Sequence, residues 1–174
     1  MKVKIKKLSE NAVIPSYSKP GDAGMDITCT SRHFDAEGNV VYGTGLAFKI
    51  PEGYVGLLFP RSSNAKKDLT MSNSVGVLDS GFVGEVLFKF KPSAFFADDD
   101  VSELGEVGKV SNTFDYTLLP KGFNQDWSYK YSLYEVGDRV GQIIIMPYPK
   151  VTFEEVLELP TTERGDGGYG STGR

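Results

Sequence analysis

The sequence predicts an all-β protein, and three observations lead there. Short segments rich in Val, Ile, Phe and Tyr recur along the chain; Gly, Pro and Asn turns separate them; and only one stretch, one or two turns long, reads as helix. Lys2–Leu8 alternates Lys with apolar residues and is the first strand. Met25–Thr30 follows a Gly-containing turn. Val40–Ile50 and Tyr54–Pro60 flank Pro51-Glu52-Gly53, a strong turn signal. The short helix begins near Ser62 and runs into Asn64-Ala65-Lys66-Lys67-Asp68, with Ser62 or Ser63 as its cap. Its free N–H groups suit a phosphate. Val83–Lys91, Phe114–Leu119 and Arg139–Tyr148 complete the strands, a spacing that suits a sandwich, jelly roll or barrel.

A chain of 174 residues is most simply one domain, long enough to bury a real core. A net charge of −4 argues against general affinity for nucleic acid or anionic membranes. Cys29 is the only cysteine, so an intrachain disulfide is excluded and a Cys-based zinc site is not expected. The opening MKVKIKKLSE reads as a strand rather than a signal peptide, and no segment is long enough to span a bilayer. The default compartment is cytoplasmic. His33, the only histidine, sits before a Glu-Gly-Asn turn and reads as a surface residue. Any acid–base chemistry therefore falls to carboxylates.

Residues 92 to about 130 break the pattern. They hold the acidic run Asp98-Asp99-Asp100, several Gly and the chain's only Trp, Trp127. They are too short to build a core of their own and read as an insertion or elaborated hairpin. The Asp run reads as a solvated loop, with a metal site as the alternative. The last eleven residues, RGDGGYGSTGR, include five Gly. Such a tail cannot bury enough apolar surface to offset its ordering entropy. Its chemistry nevertheless suits a nucleotide: glycine backbone N–H groups, the hydroxyls of Ser171 and Thr172, and Arg164 can all reach phosphate oxygens, and Tyr169 can stack on a base.

Four further stretches carry compatible side chains. Asp22-Ala23-Gly24-Met25-Asp26 opens a strand. Pro60-Arg61-Ser62-Ser63 closes one and opens the helix. Asn73 to Glu85, NSVGVLDSGFVGE, reads as a hairpin with Asp79 near its tip. Gly137-Asp138-Arg139-Val140-Gly141-Gln142 enters an apolar strand. Each alone has an ordinary structural explanation as a turn or a surface ion pair.

Together, and in this order, the five stretches resemble the motifs of the trimeric dUTPase family, the dUTP nucleotidohydrolases. The resemblance spans the chain except the insertion. It implies a jelly-roll-like β-sandwich over 1–160, a flexible C-terminal lid over 161–174, and a homotrimer whose active sites each draw on three subunits. It also implies Mg²⁺-dependent hydrolysis of dUTP to dUMP and pyrophosphate, which limits uracil in DNA and supplies dUMP for dTMP synthesis. Asp79 holds the place of the carboxylate that activates the water attacking the α-phosphorus. Asn73 holds that of the amide reading the uracil edge, which needs both a donor and an acceptor. Phe82 stands where the family usually has Tyr against the deoxyribose, and Gly76 is a further substrate-binding position. Arg61, Ser62, Ser63 and Gln142 match phosphate-contacting positions. Asp26 matches the Asp that reaches the metal through water, Mg²⁺ being held mainly by the triphosphate and its own waters. In the tail, Arg164 and the backbone of Gly167, Gly168, Tyr169 and Gly170 match phosphate contacts. Ser171 and Thr172 match γ-phosphate contacts, and Tyr169 replaces the more usual Phe over the uracil.

Gly141 stands where the family often has Ala, a small change with no expected chemical effect. The insertion, with Trp127, Tyr129 and Tyr131, leaves a protein partner open. The nearest rival is a dCTP deaminase, which needs a Glu about ten residues after the Asp79 position. Position 89 is Lys, and Ser80 stands where deaminases tend to have Pro.

Overall fold

The computed structural model describes residues 1–67, 69–92 and 133–168. Within them the chain forms β1 (Lys4–Lys7), β2 (Met25–Thr28), β3 (Ser31–Phe34), β4 (Val40–Lys49), β5 (Tyr54–Phe59), the 3-10 turn η1 (Ser62–Lys66), β6 (Leu69–Met71), β7 (Gly76–Leu78), β8 (Glu85–Pro92) and β9 (Arg139–Pro147). The strands make two antiparallel sheets. One runs β1-β4-β8-β6, with β3 also pairing β4; the other runs β2-β9-β5-β7. The all-β, two-sheet architecture expected from the sequence is what forms.

One apolar core lies between the sheets. Tyr42, Leu46 and Phe48 of β4 and Val86, Phe88 and Phe90 of β8 meet Ile27 of β2, Leu58 of β5 and Val140 and Ile143 of β9. The strict alternation of β8, with Val86, Phe88 and Phe90 inward and Leu87 and Lys89 outward, is the period-two pattern of a half-buried strand. The sheets approach closely at Gly141. A Cβ there would fall on the fully buried ring of Phe88, with Cδ1 only 2.7 Å away. The exchange that reads as neutral in the sequence is therefore tightly constrained: Gly141 makes room for Phe88.

Three sequence expectations change. The strands β3 and β6 were not foreseen; each is short, and β6 has a single exposed Thr70 between two buried residues. The short helix is 3-10 rather than α. Arg61, in extended conformation with φ −82 and ψ 157, is its N-cap and makes no side-chain cap bond, so neither Ser62 nor Ser63 caps it. Residues 73–85 do not form a hairpin. β7 pairs with β5 and β8 with β4 and β6, so the chain crosses from one sheet to the other and back. Burial decides this: Gly76 and Leu78 face the core, and a Cβ at Gly76 would come within 3.0 Å of the Leu58 side chain. The expected strand Phe114–Leu119, the Asp98–Asp100 run, and Trp127, Tyr129 and Tyr131 lie outside the described residues. His33 is exposed on β3. No helix among the described residues is long and apolar enough to cross a membrane.

Candidate functional site

The alternation of β2, β9 and β5 brings one group of candidate residues into a row. Asp26 lies opposite Gln142, and Gln142 opposite Phe59, so three strands present adjacent positions at one end of the sheet. The chain then turns through Pro60 into η1, which swings Arg61 back over the row. Arg61 Nε donates to Asp26 Oδ1 at 2.8 Å, and its NH1 donates to Ser63 Oγ at 3.2 Å. Arg139, at the start of β9, donates to Asp26 Oδ2 at 2.9 Å. One carboxylate thus carries two guanidiniums. Arg61 is three-quarters buried, whereas Arg139 is about half exposed.

Gln142 Nε2 donates to the Pro60 carbonyl at 3.0 Å, which ties β9 to the turn bearing Arg61. Gly24 lies against it: a Cβ there would fall on Gln142 Oε1 and displace the amide from its present position. Ser62 stands between Arg61 and Ser63 on η1 and is exposed. Arg139 was not singled out from the sequence. Its signal was present in retrospect: it lies three residues before Gln142 on a strand that pairs with the Asp26 strand.

The second group lies on the crossing segment between the sheets. Asp79 follows Leu78 directly, and Phe82 N–H donates to the Asp79 carbonyl at 3.1 Å to close the turn. Asn73 and Asp79 are exposed, and Phe82 is 44% exposed. Among the described residues the Asp79 carboxylate makes no hydrogen bond or ion pair. Ser74 adopts a positive φ of 58, a left-handed conformation that makes the sharp bend between β6 and β7. Lys49 Nζ donates to the Ser80 carbonyl at 2.7 Å. An open cleft of about 400 Å³ flanks this turn, with Lys2, Lys4 and Lys49 on its walls.

The two groups sit at opposite ends of the same sheet. Leu78 is opposite Gly56, so Asp79 is level with Val55. From Val55 to Phe59, the level of the Asp26–Gln142 row, is about 13 Å at roughly 3.3 Å per strand residue. Within one chain, Asp79 and the Asp26–Arg61–Gln142 group cannot touch the same phosphate.

The third group is in the tail. Arg164 Nε donates to the Gly167 carbonyl at 3.1 Å, and Gly165 N–H donates to both the carbonyl and the hydroxyl of Thr162 at 3.1 Å. Arg164 is exposed. Tyr169, Gly170, Ser171 and Thr172 lie outside the described residues. The segment leading to the tail exposes large apolar side chains, with Phe153 97% and Leu159 83% accessible.

No group of three or more His, Cys, Asp or Glu side chains that could hold a metal occurs among the described residues. Asp26 alone fits an indirect role. Each carboxylate oxygen has two lone pairs, and one arginine occupies each oxygen, so an acceptor remains for a metal-bound water.

Fold and site define a two-sheet β protein in which two arginines share the Asp26 carboxylate at one end of a sheet and a turn bearing the exposed Asp79 stands at the other. A model of the dUTPase family matches residues 10–95. The deoxyuridine 5'-triphosphate nucleotidohydrolase of Hydrogenobaculum sp. is 33% identical over 179 residues, covering 99% of each chain. That of Corynebacterium glutamicum is 33% identical over 174 residues, covering 99% of this chain and 95% of the relative. Among solved structures, the Staphylococcus bacteriophage 80alpha dUTPase with dUpNHpp superposes with a TM-score of 0.68 at 27% identity, covering 99% of both chains. A dUTPase from phage phi11 of S. aureus, described with a structural Mg(II) ion, gives 0.62 at 26% identity, covering 91% of this chain and 98% of that one. The chain belongs to the dUTPase family.

Proposed function

We propose that the chain hydrolyses dUTP to dUMP and pyrophosphate, with Mg²⁺, in a homotrimer whose sites are shared between copies. The observation that carries this reading is the split site. Asp79 and the Asp26–Arg61–Gln142 group occupy opposite ends of one sheet, so a second copy must complete either half. The exposed segment with Phe153 and Leu159 supports assembly, since apolar residues of this size are rarely left uncovered together.

Arg61, Ser62, Ser63 and Gln142 receive the triphosphate, and Arg139 adds a second guanidinium at the rim. The crossing segment supplies Asn73 for the base and Phe82 for the deoxyribose of a neighbouring copy's substrate; Gly76, buried against Leu58, keeps only a backbone contact with substrate as its proposed part. Asp79 accepts a proton from water as the water oxygen bonds to the α-phosphorus. The bond from that phosphorus to the bridging oxygen breaks, and pyrophosphate leaves. Mg²⁺, when bound with the triphosphate, orients it and neutralises charge on the leaving group. Asp26 holds both arginines in place and would accept from the water shell of a bound Mg²⁺. The lid, residues 161–174, closes with Arg164, Gly167 and Gly168 on phosphates; Tyr169, Gly170, Ser171 and Thr172 keep the roles the family resemblance implies. The compartment is proposed as cytoplasmic, and a protein partner at the insertion stays a proposal because those residues lie outside the described set.

Deamination finds no support at position 89. Lys89 points outward and pairs with Asp35 at 3.0 Å, so no carboxylate is available there.

Mixing two inactive variants tests the shared site. Asp79→Asn and Arg61→Ala chains should each be inactive alone. Refolded together at equal amounts, about a quarter of the sites receive an intact Asp79 from one copy and an intact Arg61 from another, and activity returns to that level. No recovery on mixing would place both residues in one chain's site and overturn the arrangement. A nucleotide panel with Mg²⁺ and with chelator tests the reaction: pyrophosphate should come from dUTP far faster than from dTTP, dCTP or UTP. Ammonia release from dCTP would refute it.

A further inference from the structure

Tyr134 is 2% exposed and has no place in the chemistry above. It belongs to an aromatic trio, with Tyr42 at 5.7 Å and Phe90 at 5.9 Å between ring centroids. Its backbone N–H donates to the Tyr42 hydroxyl at 3.0 Å. Buried phenols of this kind normally find a partner for the hydroxyl. Here the partner is on η1: Tyr134 Oη donates to Asn64 Oδ1 at 3.2 Å. Asn64 in turn donates to the Leu69 carbonyl at 2.7 Å, closing the far side of the turn.

A second attachment lies three residues along. Lys67 Nζ sits 4.4 Å above the Tyr134 ring and donates to the Leu133 carbonyl at 3.1 Å. The turn that starts at Arg61 is therefore fastened at Asn64 and Lys67 to one buried side chain. Burial pushes the Tyr134 phenol up, while the nearby Ser63 hydroxyl and Arg61 charge pull the other way, which places both residues within its electrostatic reach.

The turn has few internal restraints to replace this. A five-residue 3-10 segment carries poor hydrogen-bond geometry, and its N-cap has no side-chain bond. Outside the turn, the Gln142–Pro60 and Arg61–Asp26 bonds hold its start, and the tether below holds its far end. The direction of Arg61 and Ser63 follows from how the turn is held, because both leave it.

We propose that Tyr134 is a positioning residue for triphosphate binding: through Asn64 it fixes the η1 turn, and with it the direction in which Arg61 and Ser63 present their donors. This rests on the reading of Arg61 as a phosphate contact.

The test uses the full chain with Tyr134→Phe, which keeps the ring, its aromatic neighbours and the lysine above it. Affinity for a non-hydrolysable dUTP analogue should fall roughly five- to tenfold, the size expected for one neutral hydrogen bond. Competitive inhibition by deoxyuridine, which lacks phosphates, should be unchanged. Asn64→Ala, on a more exposed residue, should reproduce the loss, and the double variant should be no worse than either single one. Unchanged analogue affinity in Tyr134→Phe, or an equal loss for deoxyuridine, would overturn the proposal. Arg61→Ala serves as the separate control. If it leaves analogue affinity intact, the phosphate reading of Arg61 fails; if it weakens affinity while Tyr134→Phe does not, only the tether fails.

Discussion

Gly141→Ala offers the sharpest test of the packing between the sheets. The added methyl carbon would fall on the Phe88 ring, with Cδ1 at 2.7 Å and the neighbouring ring carbons closer still. Unbonded carbons settle at about 3.5–4.0 Å, so ring and strand must part by roughly 1 Å or more. Neither yields easily. Phe88 is fully buried and lies nearly parallel to Phe90, 6.5 Å away and inclined by 14°. β9 is bonded on both edges, to β2 and β5. Overpacking of this kind costs about 1–3 kcal/mol. At about 2–4 °C per kcal/mol for a domain of this size, Tm should fall by roughly 2–12 °C. Because Gln142 follows directly and is tied to Pro60, a shifted β9 should also lower kcat/KM. Thermal unfolding by circular dichroism, with activity on the same samples, measures both. Phe88→Leu should relieve the clash, so the double variant should be more stable than the sum of the single losses by at least about 1 kcal/mol. A Tm within a degree of wild type, or strict additivity, would refute the argument.

The remaining predictions concern the site and its supports. Asp79→Asn should nearly abolish turnover while nucleotide affinity by calorimetry stays close to wild type; full activity would remove Asp79 from its role. Truncation before Arg164 should damage catalysis far more than folding, because the described tail residues other than the half-buried Gly167 are exposed; an unchanged rate would discredit the lid. Asp35 supports the fold in a pH-dependent way. Burial works to raise its carboxyl, but Asn39's side chain and backbone and the Lys89 ammonium outweigh it and hold it well below its ordinary value of 3.8. A depressed carboxyl stabilises above its unfolded value and loses that contribution as pH falls through the folded one. Asp35→Ala should therefore be less stable than wild type at pH 7, and the gap should narrow only below about pH 4. A gap that is constant from pH 7 to pH 2 would contradict this.

The strands that were legible are those with long apolar runs. β4, β5 and β9 are rich in Val, Ile, Leu and Phe and bounded by Gly or Pro, so their period and ends could be read directly. β3 and β6 were not, because Ser31–Phe34 and Leu69–Met71 have too few residues to establish a period, and pairing with β4 and β8 decides their state. The segment carrying Asp79 shows a deeper limit. Its turn chemistry was visible, but its two flanks pair with different sheets, which only the register of distant strands determines. Asp26, Arg61 and Gln142 were recognisable as a set, yet Arg139 was not, since its link to Asp26 arises from the β2–β9 pairing. The clash that forbids a side chain at 141 likewise depends on Phe88, fifty-three residues away in sequence and in the other sheet.

The geometry also separates the roles of the two site aspartates. Asp26 lies between Arg61 and Arg139, and each oxygen carries a charged donor. Such a carboxylate already accepts a charged donor on each oxygen. It is suited to holding cations. Asp79 stands at the far end of the sheet, beyond the roughly 8 Å over which charges act through physiological salt. Among the described residues its carboxylate makes no ion pair. If the crossing segment had placed Asp79 beside Arg61 in the same chain, the two would pair as Asp26 and Arg61 do, and the base would be lost before substrate arrived. The proposed assembly from separate copies would avoid that pairing: it would bring the carboxylate to the arginines only across the space a bound triphosphate fills, and so leave the acceptor free for water.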